Sequence, residues 1–323
     1  MKCPTCTADG SKFGKDRTGC QRYRCGQCRK VFTDPKPLAG TRTSMDKIVL
    51  AFKMLLEGSS MRAIERITGI DHHTVIEWML KAGEQCKDFL AYSVYQHQVN
   101  DVEIDEQWGF VGCKEKTAFL KNYGPEVGDA YVYTAIERTT KLVIAFRVAK
   151  RDSDNAHDFA QQLRVATSGQ FQVSTDGYAP YSSAIPSAFG YGVSYGQIVK
   201  NYSNPQEAER RRYSPPTIIK TEKKAICGTP DQSRICTSIV ERHNLSTRMH
   251  VRRMTRLTNA HSKKWENHEA MLALWYCAYN FTRVHSTLKS TPAVAAGLAT
   301  ETWSIERLLT EAAKVEREFA TLN

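Results

Sequence analysis

The chain has 323 residues, room for two or three domains and a sizeable core. With 41% hydrophobic and 24% charged residues, most of it reads as globular rather than disordered or fibrous. The net charge of +11, from 45 basic and 34 acidic side chains, favours a polyanionic partner.

The first element is a doubled cysteine knuckle, Cys3-Pro-Thr-Cys6 and Cys25-Gly-Gln-Cys28, with 18 residues between the pairs. Each CxxC lets two thiolates reach one ion, and two knuckles close a tetrahedral sphere, so Cys3, Cys6, Cys25 and Cys28 read as a structural Zn²⁺ site. A short segment without an apolar run cannot fold alone, and the metal must supply that energy. Cys20, between the pairs, is an alternative ligand. Disulfides or a redox pair are the competing readings. The remaining cysteines are scattered, no apolar signal region follows Lys2, and the longest apolar run, Ala270–Tyr279, is ten residues. That run is too short to cross a bilayer, and the expected location is a reducing cytoplasm.

Residues 1–40 therefore form the zinc segment, closed by the loop signal Asp34-Pro-Lys-Pro-Leu-Ala-Gly40. Residues 41–95 read as three helices. Met45–Glu57 carries Ile48, Val49, Phe52 and Leu55–Leu56 at helical spacing. Ser59 or Ser60 caps a second helix through Arg62–Ile67, Gly69 turns the chain, and Asp71 caps a third. Helix, glycine turn, helix is the helix-turn-helix pattern, which would present His72, His73, Thr74 and Glu77 to base edges. Any small three-helix bundle can show the same pattern.

From about residue 98 the period changes. Val99–Ile104 alternates, Tyr131–Ile136 and Leu142–Val148 read as a hairpin, Asp154–Ala166 as an amphipathic helix, and Phe171–Thr175 as a strand ending at Asp176-Gly177. The fold expected is α/β, an antiparallel meander continued by helices. Residues of about 190–236 read as a basic insert. Ser238–Leu257 and Glu266–Arg283 read as long helices, the second apolar on nearly every side. The sheet domain is expected to run over 96–298, with a C-terminal amphipathic helix in 299–323. Basic residues cluster in 1–40 (9 basic, 3 acidic) and 241–265 (7 basic, 1 acidic), which suggests two contacts with nucleic acid.

Asp105 on the first strand, Asp176 at the end of a later one, and Glu241 opening a helix could converge on hard Mg²⁺ ions. Two such ions can activate a water or 3′-hydroxyl and stabilise the leaving oxygen of a phosphodiester. Each acid also has an ordinary reading: a turn for Asp176, a helix N-terminus for Glu241, a solvated strand position for Asp105. On a continuous helix Arg248 and Arg252 fall within about 20° of Glu241, which would line phosphate-binding charge beside a metal site. His243, His250 and His285 read as packing or capping residues, and Trp108 and Trp265 as core more than as base-stacking platforms.

Four blocks, Val102-Glu-Ile-Asp105-Glu-Gln-Trp108, Ser174-Thr-Asp176-Gly-Tyr178, Ile239-Val-Glu241-Arg-His-Asn244 and Tyr279-Asn-Phe-Thr-Arg-Val-His285 through Thr291-Pro292, resemble the DDE transposases of bacterial insertion sequences, in particular the insertion-sequence-one type. The resemblance implies an RNase H-like catalytic domain preceded by a zinc ribbon and a helix-turn-helix. It implies Mg²⁺, for which Mn²⁺ can substitute, held as two ions by Asp105, Asp176 and Glu241. It also implies contact with the element's terminal inverted repeats and target DNA, a homodimer or higher oligomer on DNA, and a nucleoid-associated, bacterial setting. Asp176 and Glu241 are separated by 64 residues, more than a compact arrangement of this kind needs. Glu207, Glu209 and Glu222 are therefore alternatives for the third acid, and Glu103 shares a strand face with Asp105. The competing functions are a non-enzymatic, zinc-dependent DNA-binding regulator and an RNase H-like nuclease without strand transfer.

Overall fold

The computed structural model describes residues 1–16, 21–33, 38, 41–202, 218–256 and 258–320, with side chains not described at 202, 218 and 316–320. Cys20, Glu207, Glu209, Leu257 and nearly all of the loop over 34–40 lie outside the described residues.

The N-terminal segment is a small antiparallel sheet of β1 (Gly10–Lys15), β2 (Gln21–Cys25) and β3 (Val31–Thr33). Three helices follow: α1 (Met45–Leu56), α2 (Met61–Thr68) and α3 (His72–Ser93). The Ser60 hydroxyl accepts the Ala63 amide at the start of α2, and Gly69, at φ 71°, ends it in the left-handed conformation that favours glycine. Asp71 caps α3 by accepting the His73 amide at 2.8 Å. α3 is much longer than a recognition helix needs. Its body packs against the helices over Trp265–Phe281 and Ile305–Ala320, and one buried apolar cluster runs from Ile48 to Val315.

The central elements are β4 (His97–Gln98), β5 (Asp101–Val111), α4 (Glu115–Leu120), β6 (Gly128–Glu137), β7 (Val143–Ala149), α5 (Ser153–Ala166), β8 (Thr167–Ser168), β9 (Phe171–Asp176) and α6 (Tyr181–Phe189). After them come β10 (Val193–Tyr202), β11 (Ile218–Cys227), α7 (Ser238–His250), α8 (Trp265–Phe281), α9 (Pro292–Ala295) and α10 (Ile305–Ala320). The main sheet has the order β11-β10-β9-β5-β6-β7, while β4 and β8 form a short separate ladder. The β5-β6-β7 meander is antiparallel, β5, β9 and β10 run parallel, and β11 returns antiparallel. The architecture is thus mixed α/β, the class expected.

Two expectations need correction. The segment taken as a basic insert supplies two strands, since Val193–Tyr202 and Ile218–Cys227 extend the sheet. The helix expected over Ser238–Leu257 stops at His250, and Arg252 falls in a short 3-10 turn over Arg252–Met254. Val251 and Met254 are buried there, and that burial redirects the chain where no proline or glycine would have signalled it.

α8 covers the meander. Every residue from Ala270 to Phe281 is buried, so this stretch of the helix has no solvent face to make it amphipathic. Asn280 on it both accepts the Val143 amide (3.0 Å) and donates to the Val143 carbonyl (2.9 Å), satisfying the backbone of edge strand β7. α3 crosses α8 so closely that a Cβ on Gly83 would stand 2.3 Å from the Ala270 carbonyl oxygen.

Candidate active site and zinc ribbon

At the N-terminus the sulfurs of Cys3, Cys6, Cys25 and Cys28 all lie within 4.8 Å of one another. Cys3 and Cys28 are 3.5 Å apart and Cys6 and Cys25 3.3 Å, with no disulfide between them. A tetrahedral zinc–thiolate centre has sulfur–sulfur edges of about 3.8 Å, so the donor set fits Zn²⁺. The Thr5 amide points at the Cys3 sulfur (3.5 Å) and the Cys28 amide at that of Cys25 (3.4 Å), dipoles that favour thiolate over thiol. Burial opposes ionisation of Cys3, but backbone amides and the neighbouring thiols outweigh it and bring the group down to about 6.

In the main sheet, the parallel register of β5 and β9 pairs Ile104 with Thr175. Asp105 and Asp176 are the next residues along each strand and so emerge side by side. Glu241 comes from the first turn of α7. All three line one cavity of about 570 Å³, together with Arg151, Tyr178 and Lys200.

Each acid is held by local contacts. Asp105 accepts the Asn244 side-chain amide at 2.8 Å and the Glu106 backbone amide at 2.9 Å. Asn244 lies one turn beyond Glu241, and its own carbonyl accepts from buried Gln107 at 2.7 Å, which ties α7 to β5. Asp176 accepts the Tyr178 amide at 2.9 Å in a tight turn. Glu241 accepts the Thr237 hydroxyl at 2.7 Å and ion-pairs with Lys200 of β10.

The electrostatics record the crowding. Burial pushes the Asp105 carboxyl up to about 7, and the charge of Asp176, then that of Glu241, adds to it. Burial also lifts Glu106 to about 7, again helped by Asp176 and Asp105, although Arg151 pairs with it at 3.1 Å. Converging carboxylates that resist ionising together are a donor set suited to a divalent cation, and Asp105, Asp176 and Glu241 are the residues that would hold Mg²⁺. In the state described, Glu241 is engaged by Lys200, and the three acids are not drawn together as tightly as the cysteines.

Glu103 and Asp105 separate cleanly. The Glu103 carboxylate is buried and accepts the Ile239 amide (2.7 Å) and the Val240 amide (3.1 Å), capping the N-terminus of α7 from the neighbouring strand. It is occupied in positioning the helix that carries Glu241. Among the alternatives for the third acid, Glu222 lies on β11, where it pairs with Lys220 at 2.7 Å, and it is not among the residues lining the cavity.

The expected DNA-facing residues are dispersed. His72 bonds Glu65 at 3.1 Å and its ring lies 4.1 Å from that of His73, while Thr74 is half-buried and His73 exposed at the start of α3. Arg248 is bound to the carbonyls of Trp108 (3.2 Å) and Met254 (3.1 Å), bracing α7 and the following turn against β5. Arg252 is exposed but off the helix, so it does not continue a line from Glu241. Trp108 is not core: it lines a cavity of about 470 Å³ with Phe110, Lys114, Arg248 and Arg256. His243 is buried within the ring contacts of Tyr276 and Tyr279. Arg151, which stacks on Tyr178 at 3.8 Å, and Glu106 are site residues that the sequence reading passed over. Their signal was position: Glu106 adjoins Asp105, and Arg151 comes two residues after β7.

No helix among the described residues is long and apolar enough to cross a membrane. The chain aligns over 87% of its length with 73% of a piggyBac transposase in a synaptic complex with hairpin DNA, at 10% identity and a TM-score of 0.38, a likeness too slight to argue from. Residues 126–212 match a family described as a DDE domain. That segment contains Asp176, begins after Asp105 and ends before Glu241.

Proposed function

We propose that the protein binds the terminal inverted repeats of a mobile element, nicks the 3′ ends and joins the freed hydroxyls to target DNA. The observation that carries this reading is the shared cavity of Asp105, Asp176 and Glu241, three carboxylates delivered by β5, β9 and α7. Two Mg²⁺ ions bound there would activate the attacking oxygen and stabilise the leaving one. The chain's own residues supply the rest. Asn244 orients Asp105, Glu103 fixes the helix bearing Glu241, and Arg151 stands in the cavity where a phosphodiester could be held. Lys200 neutralises Glu241 until a cation replaces it.

The zinc ribbon and the helix-turn-helix at α2–α3 would recognise the element ends, with His73 and Thr74 reading bases, and the basic segments would supply salt-dependent affinity. Two ends must be held together, so the working form is a homodimer or larger assembly on DNA. The finer placement among insertion-sequence-one elements rests on the Ile239-Val-Glu-Arg-His-Asn244 block.

The experiment is incubation of the protein with its flanking DNA and Mg²⁺, scoring nicked and joined products separately. Joined products support the proposal. Nicking without joining would leave a nuclease, and DNA binding without either product would leave a regulator.

A further inference from the structure

Behind the catalytic helix lies a second cavity that the reaction just described does not use. α7 has two working faces. Glu241, Asn244 and Arg248 recur at helical spacing on the face toward β5. Ile239, Arg242, His243 and Ser246 recur on the opposite face, roughly 180° away at 100° per residue. That face forms one wall of a cavity of about 600 Å³. Lys141, from the β6–β7 turn, and Arg283 and His285, from the segment after α8, close the other walls.

The cavity is lined by cations and contains no acid among its lining residues. The Arg242 guanidinium has no hydrogen-bond or ion-pair partner among the described residues, and the acid paired with Arg283, Glu57 at 3.4 Å, is not part of the cavity lining. Lys141 donates to the Arg138 carbonyl rather than to a carboxylate. The Thr287 amide and hydroxyl lie 3.4 and 2.9 Å from His285 Nδ1, which places the ring proton on Nε2 as a donor. His243 is buried, and its Nδ1 has no hydrogen-bond partner. Burial holds the His285 pKa below its ordinary value, and the charges of Lys141, Arg283 and Arg242 lower it further. Like charges drawn together around an unpartnered buried donor or acceptor lack only an anion.

We propose that this cavity binds a backbone phosphate of DNA, with Arg242 and Arg283 as its principal charges and His285 as a hydrogen-bond donor. The inference rests on the reading of the protein as a DNA transposase. It makes α7 a wall shared by two phosphate sites, the reacting one on the Glu241 face and a gripping one on the Arg242 face. A strand held on both sides of the helix would be fixed in register with the carboxylates.

The test is DNA affinity of the full-length protein against salt, for wild type, Arg242→Gln, Arg283→Gln and the double variant, with inorganic phosphate titrated separately. Each single change should lower the salt slope by about one unit, the double by about two, and each lost contact should weaken binding roughly tenfold near 0.1 M salt. Arg242 is exposed and unpaired among the described residues, so its variant should fold normally even if loss of the Arg283–Glu57 pair disturbs the other. Unchanged slopes in Arg242→Gln, with wild type binding DNA normally, would overturn the pocket while leaving the transposase reading intact. Wild-type protein that bound no DNA would instead overturn that reading, and the pocket's assignment with it. Inorganic phosphate bound tightly by wild type and lost in Arg242→Gln, with DNA slopes unchanged, would make this a free-phosphate site and overturn the DNA assignment.

Discussion

The N-terminal ribbon and the sheet body answer the same stability problem in opposite ways. The ribbon's strands are short and mostly exposed, with Cys3 and Cys25 its buried side chains among the described residues. In the body, an unbroken buried run on α8 packs between the sheet and α3. The first region has a cluster of four cysteines in place of an apolar core, and the second rests on apolar area and close backbone approach. Regions held by different forces should fail under different treatments.

The largest expected effect is on the ribbon. Chelating zinc, or Cys25→Ser, should unfold residues 1–33, because zinc binding of this kind is worth on the order of 10 kcal/mol. The body's thermal transition should hardly move. Hydrogen exchange by segment checks this, and a ribbon that stays protected after complete metal removal would break the comparison.

The reverse lesion is Gly83→Leu. The side chain would drive into the α8 backbone at Ala270, and overpacking there should cost the body about 1–3 kcal/mol or more in a denaturant titration. Zinc content, measured by metal analysis, should be unchanged.

A smaller pair of effects distinguishes two carboxylates on one strand face. Glu103→Ala removes the cap on α7 and should destabilise by about 0.5–2 kcal/mol, with Glu103→Gln milder because an amide oxygen still accepts the Ile239 and Val240 amides. Asp105→Asn should have the opposite sign. The folded state lifts Asp105 to about 7, above its unfolded value, so its contribution is favourable below about pH 4 and is lost as pH rises through 7. At pH 8 without divalent metal, Asp105→Asn should therefore melt higher than wild type, and the gap should close toward pH 4. A lower melting temperature at pH 8 would contradict the electrostatic account of the cavity.

How much of this was legible in the sequence follows physical lines. The cysteine knuckles were, because a metal site is written in local spacing. The order of meander, helix and strand was also legible, because those strands alternate or are wholly apolar. The strands β10 and β11 were not: Lys220, Lys223 and Lys224 stud the outer strand, and lysine-bearing sheet edges look like basic loops in a sequence. The end of α7 was hidden because burial of Val251 and Met254, not a breaker residue, stops it. Asp105 and Glu103 could not be separated by pattern, since both point to the same face; only the helix terminus packed above Glu103 tells them apart. The role of Arg242 was invisible for a related reason: it adjoins Glu241 in sequence and faces away from it in space.

The central claim is that Glu241, with Asp105 and Asp176, performs the chemistry. It is tested most directly by strand joining with Mg²⁺ for Glu241→Gln beside Glu222→Gln, with binding to the element ends measured in the same samples. Glu241→Gln should lose on the order of 10³-fold or more in joining rate while end binding is retained, and Glu222→Gln should join normally. Normal joining by Glu241→Gln, or loss of joining in Glu222→Gln, would contradict the assignment.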